Sequence, residues 1–158
     1  MDNMNKKILI VQRILPSYRA PVFSDIANLT NCEVTIFAAK AEKGYGNSDN
    51  EKFNLSYARA SWKQFFGILY FDKSIFSLWR KHDIIFHVAD FKFTSLWISL
   101  FLSIFSSKKV YLHGQGGYKR KGLLVNIIYK FILLLADGYV CYTDYSKATL
   151  LDKVPKFM

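Results

Sequence analysis

Short, unbroken apolar runs alternate along this chain with longer stretches in which apolar residues recur every three or four positions. Lys7 to Val11 (Lys-Ile-Leu-Ile-Val) is the first such run, and its length and branching predict a strand covered on both faces of a parallel sheet. Gln12 to Ser17, punctuated by Pro16, reads as a loop. From Tyr18 to Leu29 the spacing becomes helical. Val22, Phe23, Ile26, Ala27 and Leu29 share one broad face, and Pro21 falls in the first turn, where a missing N–H costs nothing. Glu33 to Ala38, rich in β-branched and aromatic residues, predicts a second strand. Glu42 to Glu51 is polar and reads as an exposed loop, and Phe53 to Tyr57 alternates weakly as a third strand. Asp72 is placed to cap a helix running to about Lys81, striped by Ile75, Phe76, Leu78 and Trp79.

Asp83 to Val88 predicts a fourth strand, which ends at the turn Ala89-Asp90. The most apolar stretch follows, Thr94 to Ser107. It falls short of the roughly 20 residues that cross a bilayer, so it reads as a buried helix or one lying on a membrane surface. Lys109 to His113 is a fifth strand, followed by the glycine-rich loop Gly114-Gln115-Gly116-Gly117. A helix from about Lys121 to Leu135, a sixth strand from Gly138 to Tyr142 and a helix over Tyr145 to Asp152 complete the pattern. Strands separated by helices imply an α/β domain spanning residues 1–158. The expected fold is Rossmann-like and doubly wound, with helices on both faces of a mostly parallel sheet of about six strands.

Composition supports a folded domain: 51% of residues are hydrophobic and 22% charged, enough apolar surface to offset the entropy of ordering. Charge adds something new. The net charge is +10, and no acidic residue occurs from Phe91 through Ala136, where Lys92, Lys108, Lys109, Lys119, Arg120, Lys121 and Lys130 all lie. Such a stretch attracts phosphate or anionic lipid headgroups; the plain alternative is a solvated face that aids solubility. Cys32 and Cys141 sit in or beside apolar runs without metal-type spacing, as reduced thiols in a cytosolic protein do. Nothing resembling a secretory signal precedes the first strand. Zinc-type spacing and a Gly-x-Ser-x-Gly elbow are missing, so no metal or other cofactor is expected. Nor is nucleic acid expected as a partner, since the basic stretch carries no recognised reader motif.

In sheets of this kind ligands bind beyond the carboxyl ends of the strands. That rule selects Gln12, Arg13, Tyr18 and Arg19 after the first strand, with the arginines suited to an anion or a hydroxyl-rich acceptor. It selects His87 and Asp90 after the fourth, where a core histidine and a helix cap are the competing and more frequent readings. After the fifth it selects His113, Gly114, Gly116 and Gly117, with Lys119, Arg120 and Lys121 next along the chain. Glycine backbone and cations together suit a phosphate or pyrophosphate, although glycines also serve simple tight turns.

Read in order, several of these pieces resemble the N-terminal domain of the GT-B-type, family 4-like glycosyltransferases that build bacterial surface polysaccharides. The residues that carry the likeness are Lys7 to Val11 with Leu15-Pro16-Ser17-Tyr18-Arg19-Ala20-Pro21-Val22-Phe23, Tyr111-Leu112-His113-Gly114, and Ala136-Asp137-Gly138-Tyr139-Val140 leading to Tyr145-Ser146-Lys147. The resemblance implies an acceptor-binding domain, His113 as the catalytic residue near the reacting sugar, and a cleft lined by Gln12, Arg13, Tyr18 and Arg19. It implies a retaining transfer from a nucleotide-sugar to a glycan or lipid-linked acceptor, as in polysaccharide or lipopolysaccharide synthesis. Such a domain faces the inner side of the cell membrane, with Trp97 and Phe101 as apolar contributors. The donor-binding domain of the family has no counterpart in these residues. On this reading the chain is a truncated product, a fragment or one subunit of a split enzyme, inactive alone and prone to associate with a partner polypeptide or itself. The competing expectation is a non-catalytic subunit that binds a membrane or partner through its basic face.

Overall fold

The first apolar run becomes β1 (Lys7–Ile14), a central strand buried from Ile8 through Gln12. A computed structural model describes residues 6–30, 32–40, 55–114 and 122–151 of the chain. After β1 a 3-10 turn (Ser17–Arg19) leads into α1 (Ala20–Thr30), then β2 (Glu33–Ala39) and β3 (Ser56–Arg59). A small hairpin follows, β4 (Lys63–Phe65) and β5 (Leu69–Phe71), and then α2 (Ser74–Lys81). The second half runs β6 (Ile84–Val88), α3 (Thr94–Ile104), β7 (Lys109–Gly114), α4 (Leu123–Leu135), β8 (Gly138–Cys141) and α5 (Asp144–Leu151).

The main sheet has six strands in the order β3-β2-β1-β6-β7-β8, every neighbouring pair parallel. Strand order reverses between β1 and β6, which opens a crevice beyond their carboxyl ends. The period-2 alternation of the strands divides the core in two. Ile8, Ile10, Val34 and Ile36 pack with Ala20, Phe23 and Ala27 around α1. Leu9, Val11, Phe37, Ile85, Val110 and Leu112 pack on the opposite face with Ile75 and Trp79 of α2, Leu96 and Leu100 of α3, and Tyr129, Ile132 and Leu133 of α4. The doubly wound α/β expectation therefore holds.

Several local expectations change. β1 does not stop at Val11: after an irregularity in register it rejoins β2 at Ile14, opposite Ala39. Gln12 and Arg13 are thus strand residues, because β2 is long enough to keep offering backbone partners. The third strand lies at Ser56–Arg59, later than expected, and the loop expected over 42–51 lies outside the described residues. Val22 is 53% exposed, away from the packed face of α1. Asp72 does hold the start of α2, accepting the Ser74 amide at 2.8 Å, and its other oxygen accepts the Ser61 amide.

The β4–β5 hairpin is the element the periodicity does not foretell. Its three-residue connection, Phe66 to Ile68, places Phe66 (φ 52°) and Gly67 (φ 66°) both in the left-handed region, as in a type I′ turn, and the Ile68 amide closes it on Phe65. Asn or Gly normally occupies the first of these positions, so the usual turn signal is missing from the sequence. Phe71 carries the hairpin onto α2 through an edge contact with Phe76, 6.5 Å between centroids. No helix among the described residues is long and apolar enough to cross a membrane.

Candidate functional site

The carboxyl ends of β1, β7 and β8 bring four polar side chains together on the α1 face of the sheet. Register sets this up: His87 of β6 pairs with Val11 and Leu112, and Val88 pairs with His113, so Gln12 and His113 project to the face opposite His87. Arg19, the last residue of the turn before α1, donates from Nη1 to Gln12 Oε1 at 2.8 Å. Its guanidinium lies 4.7 Å from the ring centroid of Tyr142 and 5.5 Å from that of Tyr18. Stacked this way a guanidinium keeps its N–H edge available to an anion or hydroxyl. Gln12 is 1% exposed, and its Nε2 has no hydrogen-bond partner among the described residues. An unsatisfied buried amide costs stability and marks a position where a polar group is accommodated.

His113 stands at the centre. Its Nε2 faces the Val11 carbonyl at 3.3 Å, which fixes that nitrogen as the protonated one, so Nδ1 accepts the Tyr142 hydroxyl at 2.6 Å. Burial pushes its pKa down to about 4, opposed by the bond to Val11, and the Arg19 charge lowers it further. The imidazole is therefore neutral at physiological pH. Tyr142 is raised from its ordinary value, mainly by burial. Tyr142 was not among the residues singled out in the sequence, although it closes the expected sixth strand, where the same strand-end rule applies.

The other candidates separate from this cluster. Arg13 lies on the opposite side of β1, its guanidinium 5.4 Å from the Tyr70 ring centroid. Tyr18 is 69% exposed beside Arg19 rather than packed under α1. His87 is a core histidine: Nδ1–H donates to the Val88 carbonyl and Nε2 accepts from Ser95 Oγ, both at 2.8 Å. Asp90 accepts the Lys92 amide at 3.1 Å, and its carbonyl accepts the Phe93 amide at 3.0 Å, which orders the turn before α3. Gly114 has φ +155°, and a Cβ there would stand 2.9 Å from the Tyr139 hydroxyl, so close packing as well as backbone geometry requires glycine. Gly116, Gly117, Lys119, Arg120 and Lys121 lie outside the described residues.

Part of the basic stretch is structural. Lys108 donates to the carbonyls of Arg80 and His82, closing the end of α2, and lies over the Trp79 ring. Lys109 pairs with Asp137 at 2.8 Å, just beyond the acid-free segment. Lys92 and Lys130 are exposed.

No family model matches the sequence, and no curated protein does. Solved structures share its fold. HepE from Anabaena, determined in complex with UDP-glucose, aligns at a TM-score of 0.61 and 11% identity, over 94% of this chain and 41% of that one. A Vibrio parahaemolyticus protein of unknown function aligns at a TM-score of 0.50 and 14% identity, over 92% of this chain and 98% of that one. MurG from Acinetobacter baumannii aligns at 0.47 and 12% identity, over 85% of this chain and 40% of that one. This chain thus spans about two-fifths of the length of HepE. At 11% identity the likeness to HepE is one of fold, that of a GT-B-like Rossmann domain.

Proposed function

We propose that the chain is the acceptor-side half of a GT-B-type, family 4-like glycosyltransferase, working with a donor-binding domain that faces the β1–β6 crevice. The substrates are a nucleotide-sugar and a glycan or lipid-linked acceptor of surface polysaccharide synthesis. The convergence of Arg19, Gln12, His113 and Tyr142 at the strand-order reversal carries this reading, because that is where an open α/β sheet holds its ligand. The fold shared with HepE, whose structure holds UDP-glucose, supports it.

The roles follow from the hydrogen bonds. His113, neutral and held by Val11, accepts a hydrogen bond from the Tyr142 hydroxyl and so fixes the phenol at the cleft edge. The Tyr142 oxygen keeps lone pairs that receive an acceptor hydroxyl, and Arg19 offers the remaining N–H groups of its guanidinium. His113 is in this scheme a positioning residue beside the reacting sugar, acting through Tyr142. Gly114, with the following Gly116 and Gly117, lets backbone approach the ligand, and Lys119, Arg120 and Lys121 hold its phosphate. Asp90 borders the same crevice from β6.

Transfer from UDP-glucose is the assay, with the donor-binding half of a GT-B enzyme supplied as a second polypeptide. Turnover is expected only with both halves present. His113→Ala is expected to lower kcat by about 100-fold, the scale of a misplaced catalytic geometry. Turnover unchanged by His113→Ala removes that residue's role, and no transfer with any donor half supplied removes the transferase reading.

A second reading rests on a separate observation. The outward face of α4 is apolar apart from Lys130, with Leu123, Leu124, Ile127, Phe131 and Leu134 exposed. α3 and its capping residue Phe105 add exposed Phe101, Ile104 and Phe105 on the same side of the sheet. An apolar stripe with one cation, Lys130, and no carboxylate on its own helices suits an anionic membrane surface. Sedimentation with phosphatidylglycerol vesicles is expected to carry the chain down, and Ile127→Glu with Phe131→Glu to reduce the bound fraction at least fivefold. Equal sedimentation of the double variant removes α4 from the interface.

A further inference from the structure

Beyond the Arg19–His113 cluster, the carboxyl ends of β1, β2 and β3 enclose a cavity of about 550 Å³. It shares no lining residue with that cluster. Its cations are Arg13, Lys40 and Arg59, and its walls include Trp62, Gln64 and Tyr70. Strand register brings their backbones to one end of the sheet: Ile14 pairs with Ala39 and Ala38 with Arg59, so Arg13 and Arg59 sit near the level of Ala38 on either side of β2, and Lys40 follows two residues beyond Ala38. Neighbouring strands stand about 4.8 Å apart, so the three residues border one mouth.

Cations that border one mouth favour an anion among them. Among the described residues no carboxylate lines the cavity, and none is paired with Arg13, Lys40 or Arg59. The carboxylate behind the wall, Asp72, is buried, with its oxygens turned to the amides of Ser61 and Ser74. Arg13 is also prearranged. Its guanidinium lies 5.4 Å from the Tyr70 centroid, Tyr70 stacks in turn on buried Phe93, and the Trp62 indole N–H donates to the Arg13 carbonyl at 3.0 Å. A guanidinium held over a ring presents its N–H edge as a fork for two oxygens.

We infer that this cavity is a binding site for an oxyanion carried on a sugar, either a phosphate ester or the carboxylate of an acidic sugar. Its volume lies in the range of small-molecule sites and has room for a ring beside the anion. Arg13 grips the anion in bidentate fashion, Lys40 and Arg59 neutralise it, and the sugar lies against Trp62. Assigning this anion to the acceptor rests on the transferase reading; the binding itself does not, so the two stand or fall separately.

The test is a titration followed through the Trp62 indole N–H in 1H–15N spectra of the chain, the resonance being identified by Trp62→Phe. The probes are glucose 1-phosphate, glucuronate and uncharged glucose. A saturable shift with at least one charged probe, weakened by added salt and missing with glucose at equal concentration, is expected. Glucose 1-phosphate alone identifies a phosphate ester, glucuronate alone an acidic sugar, and both a general oxyanion site; each supports the assignment. Arg13→Met with Lys40→Met is expected to weaken binding at least tenfold while the unliganded indole resonance stays in place, which reports an intact fold. The inference is overturned if neither charged probe moves the resonance, if glucose moves it equally, or if the double variant binds as tightly. It is also overturned if Arg19→Met abolishes the shift while Arg13→Met does not, since the anion would then occupy the other cluster.

Discussion

Acidification from pH 7 to pH 4 is expected to unfold most of the chain, because two histidines are buried in their neutral form. His87 is fully buried, and burial holds its pKa near 3; the bond to Val88 opposes the shift and nearby His113 adds to it. His113 is pushed to about 4, again chiefly by burial. Both folded values lie below the ordinary 6.5, so the unfolded chain binds protons first as pH falls. The stabilising effect of keeping them neutral is complete above pH 6.5. It drains away between 6.5 and the folded values, through about 4 for His113 and 3 for His87. Linkage gives a loss of about 2 kcal/mol from each at pH 5, thus about 4 kcal/mol together and about 6 kcal/mol at pH 4. A domain is stable by only about 5–15 kcal/mol, so this decides the outcome. Urea unfolding followed by circular dichroism at pH 7, 6 and 5 measures the slope. Replacing both histidines with glutamine is expected to flatten it even if the variant starts lower. A wild-type midpoint that does not move between pH 7 and pH 5 contradicts the account.

The sheet was legible in the sequence because its central strands β1 and β2 are buried on both faces. Runs such as Ile8-Leu9-Ile10-Val11 and Asp83 to Val88 announce themselves without any partner in view. Strand ends were not legible. Gln12 and Arg13 are polar and follow an apolar run, so they read as loop, yet β2 continues past them and keeps β1 paired to Ile14. The hairpin was hidden for a different reason: Phe66 occupies a turn position that local preference assigns to Asn or Gly, and packing of Phe71 against Phe76 overrides that preference. The candidate site divides the same way. His113 and Arg19 were found from strand ends and charge. The inward bonds of His113 depend on Tyr142, 29 residues away, and on Val11, 102 residues away, separations no local pattern encodes. The charge excess over Phe91–Ala136 was visible too, but not that Lys108 and Lys109 are tied to α2 and to Asp137.

Phe93→Ala is expected to be the most damaging single truncation in the chain, since one ring joins three otherwise separate features. Phe93 is 1% exposed and sits between the turn at Asp90 and the start of α3. Its centroid is 5.0 Å from Trp62, edge-on, 5.0 Å from Tyr70, stacked, and 6.0 Å from His87. Removing a buried phenyl ring costs about 3–5 kcal/mol in lost transfer energy and residual cavity, and the aromatic pairings place this site at the upper end. Phe93→Leu, which fills much of the space without the ring geometry, is expected to lose about half as much. The character of the damage is as informative as its size. Water entering the cavity would reach His87, relieve its burial and raise its pKa. The variant is then less stable at pH 7 yet less sensitive to acid than the parent, a combination that generic core damage does not produce. The Trp62 and Tyr70 walls loosen together, so oxyanion binding at Arg13 weakens even where the protein remains folded. Paired urea titrations at pH 7 and pH 5 separate these effects. A loss below about 1 kcal/mol at pH 7 would show that Trp62, Tyr70 and His87 are held by their own neighbours, because a hub of this kind cannot be emptied at less than the typical cost of an average mutation.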